Sequence, residues 1–178
     1  MSTITGFVPD EIMAKMSDTL RAALALVSVA ADVPNGINAV AAKHWNVSCI
    51  ESTWDDFKKS KPSSGAAYGG HLLLSHMSLP GNEMAPPAWD GRVSIRLRTA
   101  CPAQRSTGNI SDLAAISYPA ACRRKIIETV IANRRWGYNN VYRSLISNWS
   151  KVEDNDPGLV VMDNTALVQF TFTVTPIG

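Results

Sequence analysis

The stretch Arg92-Val-Ser-Ile-Arg-Leu-Arg-Thr-Ala100 alternates strictly. Val93, Ile95 and Leu97 fall on one side of an extended chain, and Arg92, Ser94, Arg96 and Arg98 on the other. A period of two is the signature of a strand with one face on a core and one face in water. A sheet built on this strand carries arginines on its open face and needs helices or another sheet to cover its apolar face. The C-terminal stretch repeats the pattern. Ala166, Val168, Phe170, Phe172 and Val174 alternate with Leu167, Gln169, Thr171, Thr173 and Thr175.

Outward from these strands the periodicity changes to that of helices. Ile12, Met16, Leu20, Ala23, Leu24, Val27 and Ala31 recur at three and four residues, which predicts an amphipathic helix over Pro9–Ala31. Pro9 suits the first helical position, and Asp10 and Glu11 suit the positive end of the dipole. Asp32–Gly36 ends that helix, and Ile37–Lys43 allows a further short helical segment. Ser111 is placed to cap a second helix running to about Asn133. Its expected inward residues are Leu113, Ile116, Ala120, Ile127, Val130 and Ile131, and Pro119 predicts a kink or broken start.

Two more strands are expected at Trp45–Thr53 and Gly70–Met77. Val141–Val152 reads either way, because Tyr142, Leu145, Ile146 and Trp149 keep helical spacing within a β-rich composition. Asn155–Gly158 is a turn, and Asp55–Gly70, Pro80–Asp90 and Pro102–Asn109 are loops. The expected fold is therefore α+β: a mostly antiparallel sheet packed by two main helices. Its element order is helix, three strands, helix, then terminal strands. The whole of residues 1–178 is expected to make a single domain with long loops at 55–70 and 80–90.

Composition limits the class. The chain has 178 residues, of which 46% are apolar and 18% charged, enough for a real core and slightly lean in surface charge. A surface short of charge is commonly covered by a partner. No apolar run reaches the length of a membrane span, and Met1–Asp10 lacks the basic start of a signal peptide. Cys49, Cys101 and Cys122 are odd in number and lack metal-like spacing, so they read as reduced thiols.

Charge is unevenly placed. Residues 1–91 hold six Lys/Arg against nine Asp/Glu, and residues 92–143 hold ten against two. Residues 144–178 hold Lys151 against Glu153, Asp154, Asp156 and Asp163. A basic middle between acidic ends is either a solvated face balanced by acidic neighbours in space, or a surface for head-to-tail assembly or a polyanion.

The chemistry of catalysis is not in the pattern. No phosphate-binding glycine loop is present. His71 and His76 are five apart, on opposite faces of a strand, and His44 stands alone. Asp55 and Asp56 are adjacent, whereas acid–base pairs oppose each other across a cleft. Ser48, Ser75 and Ser94 lack a nucleophile-elbow context. No enzyme activity, cofactor or metal is expected. Of the five tryptophans, Trp54 and Trp89 stand at loop edges, where an aromatic serves either as an interface anchor or as a lid on its own core. Trp45 reads as core.

The run of elements resembles the tail-terminator (tail-completion, head–tail joining) proteins of long-tailed bacteriophages, in their lambda-like and Mu-like versions. The resemblance rests on the helix Pro9–Ala31, the strand start Trp45–Ser48, the apolar Leu72–Leu74, the alternating Val93–Leu97, the helix Asp112–Asn133 and the late strand Ala166–Val174. It covers nearly the whole chain by pattern rather than by motif, and the loops at 55–70 and 80–90 are longer than in the smallest members.

The resemblance implies a virion protein assembled in the host cytoplasm. Such proteins form a ring, usually a hexamer, at the head-proximal end of the tail tube. The ring stops tube polymerisation and docks a neck or head-completion protein, and DNA passes through it without specific binding. On that reading Trp89, Arg92, Arg96 and Arg98 are subunit contacts, and Lys58, Lys59 and Lys61 lie in a docking loop reaching Ser64. Arginines facing the lumen would grip DNA, which favours the intersubunit role. The rival is a single-jelly-roll viral coat or movement protein binding single-stranded RNA, which Asp90–Leu97, Asp112–Pro119 and Leu167–Val174 also resemble. Against it stand the absence of a basic N-terminal arm, Thr99 where an Asp is expected, and two long helical patterns.

Overall fold

A computed structural model describes residues 8–29, 45–48, 70–77, 88–102, 112–139, 141–152 and 159–173. The elements are α1 (Val8–Leu24), β1 (Asn46–Ser48), β2 (Gly70–Met77), β3 (Ala88–Pro102), α2 (Asp112–Ala132), β4 (Val141–Ile146), β5 (Ser150–Val152) and β6 (Leu159–Thr173). The fold is α+β, as expected. One sheet runs β1-β2-β3-β6-β4, with β5 also paired to β6. Among the described residues only the β1–β2 pairing is parallel.

The centre of the sheet is the β3–β6 ribbon. Its register runs without a break from Ala88 opposite Thr173 to Pro102 opposite Leu159. It places Val93 opposite Val168, Ile95 opposite Ala166 and Gly91 opposite Phe170. These inner-face residues are buried and join Ile12, Met16, Leu20 and Leu24 of α1 and Tyr118, Cys122, Ile126 and Val130 of α2 in one core. Each buried aliphatic or aromatic side chain contributes roughly 1.5–3 kcal/mol. At Gly91 a Cβ would stand 2.5 Å from the Phe170 ring, so the glycine is required there by space.

Three expectations about elements are corrected and one open reading is resolved. First, α1 stops at Leu24, not Ala31. Leu26 and Val27 donate to the carbonyls three residues back, tightening the last turn before β-branched Val27 and Val29. Val27 is still buried, so the apolar period outlasts the helix.

Second, α2 turns a different face inward. Tyr118, Cys122, Ile126 and Val130 are buried, whereas Ala120 is exposed and Ile116 and Ile131 are 58% and 53% exposed. Ile127 is half-buried, and the side chain of Leu113 lies outside the described residues. Of the expected inward residues Val130 is buried, while Ile116, Ala120 and Ile131 are not: the helix is apolar on two sides, and periodicity alone did not separate them. It is continuous through Pro119.

Third, β3 and β6 are longer than expected, taking in Ala88–Asp90 from one predicted loop and Leu159–Thr165 ahead of the predicted strand. Val141–Val152, which read either way, forms two strands. A bulge between Val141 and Arg143 leaves both Val141 and Ser144 facing the core. Trp45 is buried, as read.

The α2–β4 corner is held by Trp136. Its φ is +50°, and Gly137 follows at +83°. A left-handed tryptophan costs about 1–2 kcal/mol. Burial of the indole offsets it, with Nε1 donating to Ser144 Oγ at 3.0 Å and Ser144 Oγ donating to the Arg134 carbonyl at 3.0 Å. Arg123 ties α2 to β6 by donating to Asn164 Oδ1 at 2.9 Å. Ser144→Ala leaves a buried indole N–H unpaired, and a chemical-denaturation curve is expected to show a loss of about 1–3 kcal/mol. Gly91→Ala is expected to lose about 1–3 kcal/mol through its clash with Phe170, and more than Gly137→Ala, which has open space and meets only the φ penalty.

Candidate functional site

The inner face of the sheet is consumed by the core, so the site lies on the open face. The register builds it in cross-strand rows. One row is Asp90 (β3), Thr171 (β6) and Arg143 (β4). The next is Arg92, Gln169 and Leu145, followed by Ser94 with Leu167 and by Arg96 with Thr165. Arg92 and Arg143 are two strand spacings apart, about 9–10 Å, and offset by one row. Between them is a groove of about 220 Å³ lined by Asp90, Arg92, Arg143, Leu145, Gln169 and Thr171. Thr171 Oγ1 donates to Asp90 Oδ1 at 2.9 Å, fixing that carboxylate at the groove wall.

Arg92 is half-buried, and Arg96 and Arg143 are exposed. Among the described residues Arg92 and Arg143 have no ion-pair partner. Two guanidiniums and one hydrogen-bonded carboxylate leave the groove net positive, with five donors on each arginine. Leu145, 47% exposed, adds an apolar floor beside Gln169. Such a groove suits a carboxylate-bearing or phosphate-bearing surface. No three His, Cys, Asp or Glu side chains among the described residues could share a metal ion.

Arg92 and Arg96 thus share the open face. Trp89 and Arg98 are in β3, opposite Phe172 and Asp163 respectively, and their side chains lie outside the described residues. Lys58, Lys59, Lys61, Ser64 and Trp54 lie outside them altogether. His71 and His76 stand opposite Arg98 and Val93 in β2, so the register does not bring them together. Arg143 is the member that a reading of isolated segments misses, because only the β4–β6 register carries it to Arg92.

A second surface is the outer side of α2. At 100° per residue, Ile116, Ala120, Ile127 and Ile131 cluster about 130° around the helix from the buried stripe. Arg124 and Glu128 border them with an i,i+4 ion pair at 2.8 Å. Near the α2–β4 corner, the Tyr138 phenol is pushed above its usual range by burial and then by the negative charge of Glu11.

Among the described residues no helix is long and apolar enough to cross a membrane. Compared with protein-family models and with curated proteins, the chain matches none.

Charge reversal of Arg92 and Arg143 together, on a face with no core residue, is expected to leave the thermal midpoint within a few degrees of wild type by circular dichroism. A large drop would mean that these arginines serve the fold rather than a partner.

Proposed function

We propose that this chain is a structural subunit of a tailed-bacteriophage virion. It assembles into a ring, in the manner of tail terminators, at the head-proximal end of the tail tube, where it stops polymerisation and joins the tail to the neck. The observation that carries this reading is the second apolar face of α2. A helix apolar on two sides is buried on two sides, and a patch such as Ile116–Ile131 marks an interaction surface. The open sheet face offers another exposed surface among the described residues, basic where α2 is apolar. Two unlike surfaces on one subunit suit heterologous contacts, which give a ring where the rotation between copies closes. The α+β order of elements supports the same family. In this reading the arginines Arg92, Arg96 and Arg98 meet a neighbour and are kept off the lumen, so DNA slides past. Neck and tube proteins dock at the ring ends.

The jelly-roll alternative needs two sheets packed face to face. The described strands form one sheet covered by helices, which favours the ring reading over the RNA-binding one.

Ile116→Lys with Ile131→Lys is expected to shift the protein from an oligomer to a monomer in size-exclusion chromatography with light scattering, at an unchanged far-ultraviolet spectrum. Charge reversal at Arg96 and Arg98 should weaken the oligomer without unfolding the domain. Retardation of single-stranded RNA should be weak. Steeply salt-dependent RNA binding with no oligomer would overturn the proposal in favour of the coat or movement protein.

A further inference from the structure

We infer that the Arg92–Arg143 groove is a binding site for free hydrogen phosphate. The two guanidiniums grip the ion, and Asp90 recognises it through its remaining O–H. The inference goes beyond the ring reading and does not depend on it.

The register sets the geometry. Asp90 and Arg92 form one side of a patch two rows deep, and Arg143 and Leu145 form the other. Thr171 and Gln169 lie between them. The arginines therefore stand at diagonal corners, with Asp90 at a third, and all line one groove of about 220 Å³. Opposite charges this near gain by closing into ion pairs, yet among the described residues Asp90 pairs with neither arginine. Thr171 Oγ1 donates to Asp90 Oδ1 at 2.9 Å and holds the carboxylate at the wall. Asp90 Oδ2 has no hydrogen-bond partner among the described residues. The groove thus keeps its positive and negative groups apart around an open space.

That space limits the size of the ligand. It is below the roughly 300–1,000 Å³ of sites for cofactor-sized molecules, and it suits one small ion. Each guanidinium offers five N–H donors in a planar fork, the geometry that holds an oxyanion. The Gln169 amide, also on the groove wall, adds a further donor. Asp90 decides among the anions. An ionised carboxylate only accepts hydrogen bonds, so it repels any oxyanion with no proton to offer. Sulfate, carboxylates and phosphodiesters have none at neutral pH, and a phosphomonoester loses its last above a pKa of about 6. Hydrogen phosphate keeps one. Its O–H donates to Asp90 while its other oxygens accept from Arg92 and Arg143.

The test is isothermal titration calorimetry of the full-length protein with sodium phosphate, sodium sulfate and methyl phosphate. It is run at matched ionic strength and about pH 8, where a phosphomonoester is fully ionised. Phosphate is expected to bind about tenfold or more tightly than sulfate, the effect of one charge-assisted hydrogen bond. Methyl phosphate, with the same charge and no O–H, is expected to bind as weakly as sulfate. Arg92→Gln with Arg143→Gln should weaken phosphate binding about tenfold or more. Asp90→Asn keeps an oxygen for Thr171 and gains an N–H donor, so phosphate should lose its advantage over sulfate. Circular dichroism melts confirm that each variant is folded.

Equal affinity of the wild-type protein for phosphate and sulfate overturns the site, and that comparison needs no variant. So does the absence of phosphate binding at tens of millimolar. Unchanged selectivity in Asp90→Asn, or unchanged phosphate binding in the folded arginine variant, overturns it as well. Methyl phosphate binding as tightly as phosphate removes the role of the O–H and overturns the choice of the free ion. None of these results bears on the ring, which native mass spectrometry reads separately.

Discussion

Everything in this molecule hangs on the pairing of β3 with β6. The two strands are fifteen residues each and pair along their whole length in one register. That register decides which residues are core and which are surface. A slip of one residue would turn Val93, Ile95 and Leu97 to water and Arg92, Ser94 and Arg96 into the core, an error no partner surface repairs. The same register places Gly91 under the Phe170 ring and sets Arg92 one row from Arg143. Core and groove are two consequences of one constraint.

The helices close one face and leave another unfinished. α1 is conventional, with one buried stripe and charged residues such as Lys15 and Asp18 facing water. α2 meets the core through Tyr118, Cys122, Ile126 and Val130, and is pinned at Arg123–Asn164 and at the Trp136–Ser144 corner. Its other side remains apolar and open. The proposed ring gives that side a partner and gives the basic sheet face another.

How much of this was legible in the residues depends on how far each pattern reaches. β3 was visible because Val93, Ile95 and Leu97 alternate without interruption, and α1 because its apolar residues occupy one stripe only. The burial of Trp45 was read correctly. The face of α2 was not legible. Ile116 and Ile131 outrank Tyr118 and Cys122 in hydrophobicity, yet the sheet contacts fall on the latter. β4 was ambiguous for a local reason. Tyr142, Leu145, Ile146 and Trp149 keep helical spacing, yet Tyr142 and Leu145 prove exposed on the strand while Val141 and Ser144, either side of a bulge, face the core. The groove was half legible. Arg92 belongs to a clear strand, but Arg143 joins it only through pairing between segments far apart in sequence, which no local window contains. Trp136 gave no signal either, because its role depends on a left-handed backbone and on Ser144 across the turn.

The central claim is that this chain is built to assemble with copies of itself into a closed ring. Native mass spectrometry of the unmodified protein, with negative-stain images of the same sample, tests it most directly. The account predicts a single discrete oligomer, near a hexamer in mass, seen as rings with an open centre. Shells, long tubes, or a monomer that persists at every concentration would contradict it.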